Sequence, residues 1–138
     1  MAHLHRAVAT LRIAGNDLIP SEVSAMLGAE PTFAREKGKE WLTPRGKSRI
    51  ATTGQWHLHA ADTEPENLDA QVAELLGKLT SDLSVWRKLS TKFEIDLFCG
   101  WFMQEGNEGV EISPHTLKVL GERGIVLGID LYGPDSQA

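Results

Sequence analysis

The chain has 138 residues, 41% of them hydrophobic and 24% charged, with a formal net charge of −5. Those values fit one globular domain with a single buried core and exclude a disordered tail or a fibrous repeat. Neutralising nucleic-acid phosphates takes an excess of Lys and Arg, so the acidic balance argues against nucleic acid as the partner.

Residues 4–14 alternate: Ala7, Ala9, Leu11 and Ile13 share one face, and Arg6, Thr10 and Arg12 share the other with Val8. Period two with a polar second face predicts a half-buried strand. Gly15-Asn16-Asp17 supplies a turn. Pro20 suits the first turn of a helix and Gly28 its stop, which predicts a helix over 20–27 burying Val23, Met26 and Leu27. Residues 29–53 hold Pro31, Gly38, Pro44 and Gly46 without sustained periodicity. They predict a long loop with one short strand near 49–52, and a loop of that length inside a compact domain is commonly functional.

Alternation returns at 54–61, with Trp56 and Leu58 facing one way and His57 and His59 the other. From Pro65 the period becomes helical. Leu68, Val72, Leu75, Leu76, Leu79 and Leu83 predict a helix reaching 78–83, and an extension carries Val85, Trp86 and Leu89. The clearest strand is 92–103. Phe93, Ile95, Leu97, Cys99, Trp101 and Met103 fall on one face, and Glu94, Asp96, Phe98, Gly100 and Phe102 on the other. Each large side chain fully buried there stabilises the fold by about 1.5–3 kcal/mol. Ser113 and Pro114 open a helix through Leu117 and Leu120 that stops near 121–124, and 125–132 forms the last strand. The expected fold is a single α+β domain over 1–138, with two to three helices on one face of a mainly antiparallel sheet. A ferredoxin-like or a duplicated βαβ-type arrangement satisfies that order. An echo between residues 19–28 and 112–121 supports a duplication.

Catalytic patterns are missing. There is no Gly-x-Ser-x-Gly and no His-Glu-x-x-His, and the one cysteine, Cys99, lies on the core face, where a thiol is inert. Asp17, Asp96 and Asp130 are better read as turn and surface carboxylates than as an acid–base pair. His3, His5, His57 and His59 would converge on a metal only if their strands were neighbours, and the expectation is no metal and no cofactor. Neither a signal-peptide core nor a span of ~18 apolar residues occurs, so the expected compartment is the cytoplasm.

Two features depart from a plain soluble domain. Residues 33–49 carry six bases (Arg35, Lys37, Lys39, Arg45, Lys47 and Arg49) against Glu36 and Glu40. That is +4, which leaves −9 for the rest of the chain. With Trp41 available for stacking, this segment is the candidate anion or small-ligand site. The second feature is the set Phe98, Phe102 and Tyr132 on the face away from the core, the candidate interface for a protein partner or a second copy.

Several segments together resemble the bacterial family known as domain of unknown function 4279: residues 11–32, Lys37-Gly38, Gly54-Gln55-Trp56, residues 68–79 and residues 112–132. The resemblance implies a stand-alone bacterial domain with no assigned activity and no catalytic residues to carry over. By class analogy, small acidic bacterial domains include toxin-neutralising immunity proteins. The extended basic segment at 35–49 is where this chain departs from the family pattern. The sequence favours a non-enzymatic protein-binding domain, homodimeric or immunity-type, with a ligand or anion sensor as the alternative.

Overall fold

The computed structural model describes residues 4–134. Eleven elements follow one another among them: β1 (Arg6–Gly15), α1 (Pro20–Leu27), β2 (Phe33–Arg35), β3 (Glu40–Leu42), β4 (Ser48–Ile50), β5 (Gly54–His59), α2 (Leu68–Gly77), α3 (Leu83–Lys92), β6 (Glu94–Phe102), α4 (Pro114–Glu122) and β7 (Val126–Tyr132). Five strands form a sheet in the order β2-β5-β1-β6-β7, and β3 and β4 form a separate hairpin. All neighbours in the large sheet are antiparallel except β6 and β7, which α4 connects as a parallel pair. A parallel pair needs a crossover, and α4 provides it. The expected α+β class with a mainly antiparallel sheet is therefore the one observed. The two halves differ in strand pairing: β1 pairs antiparallel with β5, whereas β6 and β7 are parallel.

All four helices contribute to one core on one side of the sheet. Ala7, Ala9, Leu11 and Ile13 of β1 and Ile95, Leu97, Cys99 and Trp101 of β6 meet Val23, Leu27, Leu68, Val72, Leu75, Trp86, Leu89 and Leu120 from the helices. Gly54, at the head of β5, lets the chain close tightly: a Cβ there would lie 2.7–2.9 Å from Gly15 O, Leu18 O and Leu18 Cβ. Trp56, two residues on, is fully buried and donates its Nε1–H to Ser24 Oγ at 3.0 Å. Burial needs such a partner for the indole N–H. The segments 11–32 and 54–56 are thus held together by the β1–β5 ladder, by packing and by the buried Trp56–Ser24 hydrogen bond.

Four expectations need correction. Four helices form, because the apolar run after Pro65 is cut in two: α2 stops at Gly77, and Asp82 caps a new helix by accepting from Ser84 N at 2.9 Å. A side-chain acceptor that satisfies an orphan amide outcompetes continuation of the helix. Phe93 ends α3 and so precedes the strand in which alternation placed it. Met26, expected in the core, is 36% exposed. The segment 29–53, expected as a loop with one short strand near 49–52, instead supplies β2 to the sheet and folds the rest into the β3–β4 hairpin.

Candidate functional site

Because side chains alternate along a strand, the register assigns a second face to the sheet. Across its middle run Phe33 (β2), His57 (β5), Arg12 (β1), Asp96 (β6) and Val126 (β7), each directly opposite the next. Parallel rows carry His59, Thr10 and Phe98, and Arg6, Phe102 and Tyr132. Among the described residues no helix covers this face.

It is nonetheless partly closed by its own side chains. Arg12 donates through Nε and Nη2 to both carboxylate oxygens of Asp96, at 2.8 and 2.6 Å, and its guanidinium lies 4.6 Å from the centre of the Phe98 ring. The hydrogen bond to Asp96 raises the Arg12 pKa further. Arg6 lies 4.0 Å over Phe102, whose other neighbour is Tyr132, stacked at 4.7 Å and 9°. Tyr132 donates its hydroxyl to Asp130 at 2.6 Å, and that bond to a carboxylate pushes the Tyr132 pKa up. His59 shares a 2.7 Å hydrogen bond with Thr10. Burial, then the charge of Arg12, lowers the pKa of His57, so this imidazole is held neutral. A groove of about 730 Å³ passes Arg12, Gln55, His57, Glu94 and Asp96.

The expected interface residues share the open face but do not form one cluster. Phe102 and Tyr132 form one stack, and Phe98 lies apart beneath Arg12. Sequence reasoning passed over the arginines. Their parity was legible, but their placement over rings depends on strand register, which no local pattern reveals. Asp96 and Asp130 take separate partners and form no carboxylate pair. Cys99 is buried, and desolvation pushes its thiol up to about 12. His3 lies outside the described residues, and among those described no group of three or more His, Cys, Asp or Glu could hold a metal ion.

The seven residues of the candidate anion site are divided by the hairpin. Trp41 and Arg49 are opposite each other on β3 and β4, so they share a face. Arg35 reaches that face from the end of β2, with its guanidinium 3.4 Å from the Trp41 ring centre and 4.3 Å from that of Phe33. Lys39 pairs with Glu36 at 3.8 Å, and Lys37, Arg45 and Lys47 are exposed outside this contact. On the opposite face of the hairpin, Ser48 donates to Glu40. The segment folds on itself through Gly38 N to Ala51 O and Thr43 N to Lys47 O, and so it does not spread over Phe98 and Phe102.

The molecule is thus an α+β domain with one helix-covered sheet face and one face of aromatic rings and arginines. The chain belongs to the family described as Domain of unknown function (DUF4279), whose model matches residues 3–134. No curated protein and no solved structure matches it. Among the described residues no helix is long and apolar enough to cross a membrane.

Proposed function

We propose that this chain is a non-enzymatic binding domain that works by protein–protein contact, with the open face of the sheet receiving a second copy of itself. The observation that carries this reading is the ladder of Arg6 on Phe102 and Tyr132, with Arg12 on Phe98, on the face that lacks a helix. Aromatic rings and arginines are the residue types that anchor protein interfaces, because they combine large contact area with fixed hydrogen-bonding edges. Arg6, Arg12 and Arg35 are balanced on this face by Glu94, Asp96 and Asp130. A balanced surface suits a copy of itself better than a polyanion. Burial lowers the His57 pKa and raises that of the Cys99 thiol, which makes the imidazole a weaker base and keeps the thiol protonated.

Light scattering across micromolar to near-millimolar concentrations tests the reading. We expect a dimer for the native chain, and a monomer of unchanged melting temperature for Phe102→Ser combined with Tyr132→Ser. A native chain that stays monomeric throughout, or a dimer indifferent to both substitutions, rejects it.

A further inference from the structure

The hairpin offers chemistry of a different kind from the open sheet face. A groove of about 500 Å³ lies between the hairpin, the end of β2 and the start of β5, and its walls include Arg35, Trp41, Thr43, Arg49, Thr53 and Gln55. No Asp or Glu lines it, although the chain as a whole carries −5. Arg6, Arg12 and Arg123 each have a carboxylate within 4 Å. By contrast, neither the Arg35 nor the Arg49 side chain has a hydrogen-bond or ion-pair partner among the described residues.

Arg35 is also held in place. Its plane lies over Trp41 and close to Phe33, so the ring contacts fix its position while its N–H edge stays free. A guanidinium positioned this way loses little rotamer freedom on binding, and its fork of donors matches two oxygens of a phosphoryl group. Arg49 adds a second positive charge, and Thr53 and Gln55 add neutral donors.

From this arrangement we propose that the groove is an oxyanion site, with Arg35 and Arg49 gripping a phosphoryl group and Trp41 as the platform that holds Arg35. The groove shares Arg35 with the open sheet face but contains neither Phe102 nor Tyr132, so the two readings can be tested apart.

The test is a titration with inorganic phosphate and with pyrophosphate at constant ionic strength. It is read by tryptophan emission and by the NMR signal of the Arg35 side-chain N–H. Trp41 is half-buried, whereas Trp56, Trp86 and Trp101 are buried, so an emission change on binding reports on the groove. We expect saturable binding, weakened at least tenfold by Arg35→Gln and by Arg49→Gln. Arg45→Gln removes the same charge from the hairpin turn, outside the groove, and should leave affinity within about twofold. Melting curves of all three variants confirm that they fold. The proposal is overturned if neither anion gives a saturable change, or if Arg45→Gln weakens binding as much as Arg49→Gln. The dimer variant Phe102→Ser/Tyr132→Ser keeps the groove, so loss of dimerisation and loss of anion binding are separable results.

Discussion

His57 sits where several influences on one imidazole can be ranked. Burial removes water from the charged form most, Arg12 and then His59 repel it, Asp96 favours it more weakly, and Arg35 repels it least. The net result is a pKa below the ordinary 6.5. In this case the unfolded chain binds the proton more readily than the folded one. The His57 contribution is therefore fully present above about 6.5 and is lost as pH falls from there through the folded-state pKa. We expect melting temperature to drop between pH 7 and pH 5, with a smaller drop in His57→Gln. An equal drop in both would remove His57 as the cause. Asp69 acts in a lower window. It accepts from Thr116 Oγ1 at 2.6 Å and Ser113 N at 3.1 Å, joining α2 to the first turn of α4. These bonds depress its pKa below 3.8, so its stabilisation is lost only as pH falls below that value. At neutral pH, Asp69→Ala should cost about 1–2 kcal/mol in urea unfolding, the range for a lost capping carboxylate.

Among the elements, the long strands and the well-capped helices could be read from sequence, because each carries its own local signal. Alternation through Ala7 to Ile13 and Ile95 to Trp101 located β1 and β6 and fixed which residues face the core. Pro20 with Gly28, and Ser113 with Pro114, located α1 and α4. The strands β2, β3 and β4 are three residues each, too short for a period to register, and they exist because partners pair with them. One signal for the hairpin was present all the same. Thr43-Pro44-Arg45-Gly46 places Pro second and Gly fourth, as a type I turn favours, and Gly46 N does bond to Thr43 O at 2.8 Å. Asp82 between two apolar runs was likewise the mark of a new helix. At the site, parity alone separated Phe98, Phe102 and Tyr132 from the core. Arg12 with Asp96, and Arg35 with Trp41, are 84 and 6 residues apart and meet only through strand register and the hairpin fold. Gly54→Ala would drive a Cβ into the Gly15 and Leu18 carbonyls, which are backbone and cannot step aside. We expect a loss of about 1–3 kcal/mol in chemical denaturation, as overpacking typically costs. A neutral result would mean that β5 enters the sheet less tightly than described.

The whole molecule is two-sided. Helices bury one face of the sheet in a continuous core, while the other keeps arginines laid on aromatic rings. A solvated face does not need that ladder, since scattered charges would keep it soluble. The edge strand β7 also exposes apolar side chains, with Ile129 at 46% and Leu131 at 58%, on the helix side of the sheet. Two different surfaces could therefore join two copies, and the proposed function requires one of them. Isotope-filtered nuclear Overhauser measurements on a mixture of labelled and unlabelled chains distinguish them. Intermolecular contacts from the rings of Phe98, Phe102 and Tyr132 are the result we predict. Contacts confined to Ile129, Leu131 and α4, or none at concentrations where the chain is dimeric, would contradict it.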